Sequence, residues 1–204
     1  MTFNDMLARF SSIFRRDDCL APEATVFLTD GIARIQRECR LANMERQSVI
    51  TTISLTDFIM VPQDLLEIID VFVPDQDTGF PRALTKLSYR RLMAIDPSTA
   101  PRAYARLQGQ IWFRGPVPAN TNIQLVYYGE FSPFTDGTAT NEISATNPDL
   151  VIYAALSFAG DSYQHPAVDR WEARYQQILG QTQQQSADLD WQGGPMTVQP
   201  MWLE

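Results

Sequence analysis

Apolar residues recur at helical intervals near the amino terminus. One stripe is formed by Phe3, Leu7, Phe10 and Phe14, and a second by Leu28, Ile32, Ile35 and Cys39. Thr2 can cap the first of these helices, and Pro22 is suited to open the second. Gly31 interrupts the second stripe, and because glycine lowers helix propensity we expect a neighbouring element to pass close to it. The pattern predicts that residues 1–47 form a helical amino-terminal region.

The spacing changes to alternation in the middle of the chain. From Ser48 to Leu55, β-branched and aliphatic residues at every second position predict a half-buried strand formed by Val49, Thr51, Ile53 and Leu55. Further strands are expected over 67–73, 84–87, 104–108, 111–114 and 123–128, with a short helix over 89–95 capped by Ser88. The last three strands are expected to form a meander. Residues 48–131 therefore predict an antiparallel β subdomain.

Helical spacing returns after a polar loop predicted over 132–146. Asn147, Pro148 and Asp149 combine a capping side chain, a ring that favours the first turn and an acid near the helix start. The apolar stripe of this helix consists of Leu150, Ala154, Ala155 and Phe158. A second helix is expected from Pro166, with Trp171 and Tyr175 on its apolar face. Residues 147–187 are predicted to form a helical hairpin.

These segments predict an α+β fold. The amino-terminal helices and the carboxy-terminal hairpin are expected to form one helical layer, with the antiparallel β subdomain inserted between them. Residues 188–204 lose periodicity and are predicted to form an extended arm that carries Trp191, Met196, Val198, Met201 and Trp202. Large apolar residues are unusual in disordered ends and typical of interfaces, so we expect the arm to bind a partner surface. The alternative is that it folds back on its own domain.

Composition excludes several classes of protein. The 204 residues are 45% apolar and 20% charged, which is close to globular averages and unlike a disordered or membrane-embedded chain. The first residues include Asp5, Arg9, Arg15 and Arg16, and these charges interrupt the apolar run that a signal peptide requires. We expect the chain to stay in the cytoplasm in which it is made.

The sequence also lacks the motifs of common catalytic sites. It contains no phosphate-binding glycine loop, dinucleotide pattern, nucleophile elbow or zinc-protease helix. Cys19, Cys39 and His165 are its only cysteines and histidine, too few for a Cys/His zinc cluster. We therefore expect no catalytic residues, no metal and no cofactor, and a protein that is not an enzyme.

Charge is unevenly distributed along the chain. Residues 1–114 contain 14 acidic and 14 basic residues, whereas residues 115–204 contain 10 acidic residues and two basic ones, Arg170 and Arg174. This acidic half lacks the basic patch that a nucleic-acid-binding surface would require. Of the 16 basic residues only Lys86 is a lysine, and because arginine pairs well with carboxylates at interfaces, the composition favours assembly.

The order of several short segments resembles one protein family. These segments are IARIQRECR (32–40), VPQDLLE (61–67), LTKLS (84–88), LVYY (125–128), NPDLVIYAAL (147–156) and WEARY (171–175). Together they resemble the head-to-tail adaptor, or connector, proteins of tailed bacteriophages over roughly residues 22–180. Each segment alone is a weak signal, and their order along the chain carries the resemblance.

The resemblance implies a structural virion protein at the neck, the junction of head and tail. It implies a homo-oligomeric ring, usually a dodecamer, between the portal protein and a tail nozzle or tail-tube protein, with DNA passing through the channel without specific binding and no contact with a membrane. The arm residues Trp191, Met196, Val198, Met201 and Trp202 would bind the portal. Inter-subunit helix packing would involve Arg34, Arg37, Ala154, Phe158, Trp171 and Tyr175.

Two other functions are compatible with the pattern. The first is a tail nozzle or tube subunit, or a tail-completion protein, with the same architecture elsewhere in the virion. The second is a small hydrolase or carbohydrate-binding module that uses Trp112, Tyr127 and Tyr128 as a platform. Since Tyr127 and Tyr128 alternate between sheet faces, core packing is the simpler role for these aromatic residues.

Overall fold

A computed structural model describes residues 1–75, 78–96 and 101–190 of the chain. The described residues divide into two compact units. The helical unit combines Met1–Asn43 with the chain from Phe131 onward, and the β unit comprises Met44–Glu130. The predicted α+β class is confirmed. Among the residues that the structure describes, no helix has the length and apolar character needed to cross a bilayer.

The elements follow one another along the chain in this way. The helices are α1 (Phe3–Phe14), α2 (Ala21–Glu38), α3 (Tyr89–Ala94), α4 (Glu142–Thr146), α5 (Pro148–Ser162) and α6 (Val168–Asp190), and a 3₁₀ turn covers Ala42–Met44. The strands are β1 (Glu45–Thr51), β2 (Thr56–Met60), β3 (Leu65–Pro74), β4 (Pro81–Ala83), β5 (Thr85–Lys86), β6 (Ala103–Leu107), β7 (Gln110–Val117) and β8 (Asn122–Gly129).

Local capping explains where α1 and α3 begin. The Thr2 hydroxyl accepts a hydrogen bond from the Asp5 amide (3.2 Å), and the Asp5 carboxylate accepts one from the Thr2 amide (3.1 Å). This reciprocal pair satisfies two amides that the helix leaves without partners. The Ser88 hydroxyl likewise accepts a hydrogen bond from the Arg91 amide at the start of α3. Both predicted caps are confirmed.

Helix α5 is the centre of the helical unit. Nine of its 15 residues are buried, because it packs against α1, α2 and α6. The predicted stripe is therefore only part of a helix that is apolar on most sides. The expected close approach at Gly31 is also confirmed, since a Cβ atom there would lie 3.0 Å from the Ala155 nitrogen and 3.1 Å from the Val151 oxygen.

The β unit consists of two four-stranded sheets with a shared apolar core. The first sheet has the order β1-β8-β3-β4 and the second the order β2-β7-β6-β5. Along β8, Ile123, Leu125 and Tyr127 are buried while the intervening residues are partly exposed, as the alternation predicts. The core contains residues of both sheets: Ile59, Leu65, Ile68, Val71, Val73, Leu84, Tyr104, Ile111, Phe113, Val117, Ile123, Leu125 and Tyr127.

Two predictions about connectivity are wrong. The expected meander does not form, because β6 and β7 pair with each other while β8 lies between β1 and β3 in the other sheet. The expected loop over 132–146 contains α4. The Asn141 side-chain oxygen accepts a hydrogen bond from the Ser144 amide (2.9 Å) at the start of α4, and the Ser144 hydroxyl accepts one from the Asn141 amide (2.9 Å). Asn141 and Ser144 are both polar, so this capping box is difficult to distinguish from loop composition in the sequence.

The predicted phase of β1 is also wrong. The strand begins at Glu45, before the expected Ser48, and ends at Thr51. Val49 is 54% exposed, whereas Ile50 packs against the core between the sheets. Ile53 and Leu55 follow the strand and are 94% and 67% exposed. A shift of one residue exchanges the two faces of a strand, and pairing with β8 fixes the register here.

Candidate assembly surfaces

Arg34 is the centre of a polar cluster between α2 and α6. Its Nη1 and Nη2 atoms donate hydrogen bonds of 2.8 and 2.6 Å to the Glu172 carboxylate, and its Nε donates to Glu38 at 2.8 Å. The guanidinium carbon lies 4.1 Å from the centre of the Tyr175 ring. Tyr175 in turn donates its hydroxyl proton to Glu38 at 2.6 Å. The bidentate contact with Glu172 and the stacking on the Tyr175 ring both depend on the planar guanidinium group.

The electrostatics of this cluster follow from its contacts. Hydrogen bonding from Arg34 lowers the pKa of Glu172 from 4.5 to about 2. The same bond to Glu172 raises the pKa of Arg34 further above its usual value. Burial, followed by the hydrogen bond to Glu38, raises the pKa of the Tyr175 hydroxyl. Glu172, Arg34 and Tyr175 therefore keep fixed protonation states near neutral pH, and the cluster links α2 to α6.

The structure places most of the predicted inter-subunit residues inside their own helical unit. Ala154, Trp171 and Tyr175 are buried, with exposed fractions of 0%, 3% and 0%. Phe158 is half-buried, and the Arg34 guanidinium lies 5.7 Å from its ring centre. Buried side chains have almost no surface to offer a neighbouring subunit, so these residues support the helices of their own chain.

Arg37 differs from the other predicted residues. It lies on α2 and is exposed, so its guanidinium is available to a neighbouring molecule. The structure thus separates Arg34 from Arg37, although the sequence places both on the polar side of the same helix. The predicted arm residues Trp191, Met196, Val198, Met201 and Trp202 lie outside the described residues.

His165 and Cys39, residue types that can act as a base and a nucleophile, both have structural roles in the helical unit. The His165 ring stacks on Trp171 with centres 4.5 Å apart, and its Nδ1 accepts a hydrogen bond from the Ala167 amide. Burial raises the pKa of Cys39 to about 11, which keeps its thiol protonated and unreactive at neutral pH. Within residues 1–75, 78–96 and 101–190, no three His, Cys, Asp or Glu side chains are grouped as metal ligands.

The three residues considered as a carbohydrate platform do not share a surface. Trp112 lies on β7 in the second sheet, beside a depression of about 460 Å³. Its ring contacts the tilted ring of Phe58 (5.1 Å between ring centres) and meets the Tyr89 ring edge-on (5.9 Å). Tyr127 and Tyr128 lie on β8 in the first sheet. Tyr127 is buried and donates a hydrogen bond to Asp64, while Tyr128 faces the opposite side. The geometry gives no support to the platform.

The β unit carries an exposed apolar surface that the sequence analysis missed. Several large side chains on or near the edge strands β1 and β2 are exposed: Val49, Ile53, Leu55, Phe58 and Met60. Between these edges lies a groove of about 510 Å³. Ile53, Phe58 and Met60 line this groove together, and exposed apolar side chains that share a surface are typical of an interaction site. The β-branched residues over 48–55 are the sequence signal for this surface, although their alternation predicts a half-buried strand.

Comparison with protein-family models gives a match over nearly the whole chain. The family model described as "SU10 adaptor protein" matches residues 1–199, nearly the whole chain. No curated protein matches the sequence.

Proposed function

The chain belongs to the SU10 adaptor protein family, a family of phage head-to-tail adaptors, and from this premise we propose that its copies form a ring between the portal protein and the tail. Membership confirms the resemblance found in the sequence. The family is a structural one, so the protein is a structural component of a bacteriophage virion at the head-to-tail junction. The match over residues 1–199 is the observation that carries the proposal.

The ring itself is the first part of the proposal. A protein that joins two components sharing a central DNA path must surround that path, and repeated copies of one chain do this with closed cyclic symmetry. The arginine-rich composition and the exposed apolar residues of the β unit support extensive contacts between copies or with other virion proteins. The ring we propose is a dodecamer.

Portal binding through the carboxy-terminal arm is the second part. Residues 191–204 include Trp191, Met201 and Trp202, which are among the residue types that contribute most to protein interfaces. Burying one such side chain contributes about 1 to 3 kcal/mol. Because every copy in a ring carries the same arm, the contribution is repeated around the portal, and a modest contact per chain suffices.

Passage of DNA without specific binding is the third part. Residues 115–204 carry 10 acidic and two basic residues, and a carboxylate-lined wall repels the phosphate backbone. A channel that held DNA tightly would oppose its movement. We therefore propose that this acidic part of the chain contributes to the channel wall, while the tail nozzle or tube protein binds on the side away from the portal.

A truncation after Asp190 tests the portal contact. The described helix α6 stays complete in this variant, so the far-ultraviolet circular dichroism and the unfolding midpoint should match those of the full chain. Co-sedimentation with portal rings should be lost. A Trp191→Ala/Trp202→Ala variant of full length should also lose binding, which separates the role of the aromatic anchors from that of chain length. Undiminished co-sedimentation of the truncated protein would contradict portal docking through the arm.

A further inference from the structure

The outward face of the first sheet is acidic. Glu45 and Glu67 both lie opposite Tyr128, and Asp70 lies opposite Val126. Directly paired residues share one side of a sheet, so these three carboxylates lie on the side away from the core. The basic residues of the same strands lie elsewhere: Arg46 pairs with Asp64 (2.8 Å) and Arg82 with Asp75 (3.2 Å). We call this surface the acidic face.

Apolar side chains lie among these carboxylates. Val49 and Phe72 flank Gln124 from β1 and β3, and Val126 is its neighbour on the same side of β8. Val49 is exposed, and Phe72 and Val126 are half-exposed. A flat surface with an apolar centre and charged surroundings has the composition of a protein interface.

The opposite side of the β unit is basic. Residues 85–117, which include β5, α3, β6 and β7, contain six basic residues and one acidic residue, Asp96, and strand β2 of the same sheet adds a second carboxylate, Asp57. Helix α3 lies on the second sheet through Leu92, which packs against Ala103 and Ala105. The basic side chains on this surface, which we call the basic side, are Arg90 and Arg91 on α3 and Arg114 on β7.

The charges of the basic side are available to a partner. Arg90 and Arg91 point away from the contact between α3 and the sheet and are exposed. In the described part of the chain these two arginines take part in no ion pair. Arg114 donates its Nε proton to the Ile95 carbonyl oxygen at the end of α3 (2.5 Å), which holds the helix end against the sheet.

We propose that the acidic face of one copy docks against the basic side of the next copy. The β unit of each copy carries both surfaces, and the two surfaces differ. The contact is therefore head-to-tail and repeats from copy to copy, as in a cyclic ring. Charge complementarity favours a second copy over nucleic acid as the partner. A second copy can bind both surfaces, with its acidic face on the basic side and its basic side on the acidic face, whereas nucleic acid could bind only the basic side. The inference deepens the proposed ring and rests on that proposed function.

Charge-reversed variants test this contact. In Glu45→Lys/Asp70→Lys both surfaces of the β unit are basic, and in Arg90→Glu/Arg91→Glu both are acidic. Sedimentation velocity from micromolar to millimolar protein at low ionic strength should show that the wild type self-associates and that each variant alone does not. An equimolar mixture of the two variants should associate again, because the basic surfaces of one variant then meet the acidic surfaces of the other. The chain carrying all four substitutions should also self-associate.

Matched controls separate this effect from a change in net charge. Asp17→Lys/Asp30→Lys and Arg170→Glu/Arg174→Glu make the same charge changes at exposed positions of the helical unit and should associate like the wild type. The proposal is overturned if the wild type stays monomeric throughout, if the mixed variants fail to associate, or if the reversed variants assemble normally.

Two further readouts distinguish the remaining outcomes. Retention of duplex DNA by the wild type, lost in Arg90→Glu/Arg91→Glu without any effect on self-association, would assign the basic side to phosphate and overturn the inference. Labelling of purified virions tests the proposed function separately. A label at the head-to-tail junction together with failed cross-association would reject these two surfaces while leaving the adaptor role intact.

Discussion

Arg34 and Arg37 lie on the same helix, but within the described part of the helical unit only Arg34 is paired. Its guanidinium contacts both oxygens of Glu172, one oxygen of Glu38 and the Tyr175 ring, all within the helical unit. Arg37, one turn further along α2, is exposed. Helical spacing places both on the polar side of α2, but only the position of α6 determines which arginine is paired.

Replacing Arg34 by alanine should destabilise the helical unit. The substitution removes three charge-assisted hydrogen bonds and leaves the half-buried Glu172 without its cation, at a cost of about 2 to 4 kcal/mol. Urea unfolding followed by circular dichroism measures this loss. Arg37→Ala is the matched control on the same helix and should change the free energy of unfolding by less than about 0.5 kcal/mol. Equal effects of the two substitutions would contradict the structural role of the cluster.

The depressed pKa of Glu172 predicts a specific loss of stability in acid. Because its pKa is about 2 in the folded chain and 4.5 ordinarily, its contribution is fully present above pH 4.5 and disappears as the pH falls towards 2. Glu172→Gln should therefore flatten the dependence of unfolding free energy on pH within this window. Asp30→Asn, a control at an exposed carboxylate of α2, should retain the wild-type slope. An unchanged slope in Glu172→Gln would show that another group dominates acid unfolding.

Packing between α2 and α5 depends on the absence of a side chain at Gly31. The nearest atoms to an added Cβ are the Ala155 nitrogen and the Val151 oxygen, which belong to the backbone of the central helix. Backbone atoms held on several sides by packed helices can move only a little. The two helices thus approach closely here because one residue is glycine and the neighbours on α5 are small.

Gly31→Ala should destabilise the protein in spite of alanine's higher helix propensity. The added methyl group is expected to cost about 1 to 3 kcal/mol by forcing α2 and α5 apart, which exceeds the gain in propensity of about 1 kcal/mol. Gly180→Ala on α6 is the matched control, since no atom lies within 4 Å of the added Cβ. That variant should be stabilised by roughly 0.4 to 1 kcal/mol. Thermal unfolding of both variants gives the comparison, and a stabilised Gly31→Ala would contradict the close approach.

The phase of β1 can be tested by two substitutions at adjacent positions. Ile50→Thr puts a hydroxyl group at the half-buried core position and should cost about 1 to 2 kcal/mol, whereas Val49→Thr on the exposed side should change stability by less than about 0.5 kcal/mol. Chemical denaturation of the two variants beside the wild type distinguishes these effects. A larger loss of stability in Val49→Thr than in Ile50→Thr would contradict this register and support the one that the sequence pattern predicts.

Local signals in the sequence predicted the elements better than their partners. Thr2 and Ser88 cap helices through atoms only three residues away, so the sequence contains the whole interaction. By contrast, β8 pairs with β1 and β3, and the exposure of Val49 depends on that distant pairing. Trp171 and Tyr175 illustrate the same limit for the candidate site. An aromatic residue at helical spacing has the same pattern whether it packs inside its chain or against another.

At the scale of the whole molecule, charge differs between the two units. The helical unit, residues 1–43 and 131–204, has 15 acidic and 8 basic residues, whereas the β unit has 9 and 8. The near balance of the β unit conceals the acidic face and the basic side, which support the proposed contact between copies. The strongly acidic helical unit supports the proposed channel that repels DNA. The number of charged residues in the sequence does not reveal the two charged surfaces of the β unit, because strand pairing determines on which side of a sheet each charge lies.

The most direct test of this account is the mass of the protein bound to isolated portal rings. Native mass spectrometry of wild-type chain mixed with purified portal should give one complex with a fixed number of copies, and the ring proposed here predicts a dodecamer. The same mixture made with Glu45→Lys/Asp70→Lys should give partly filled portals, because the copies no longer support one another. A single bound copy per portal, or no complex at all, would contradict assembly as the function of this protein.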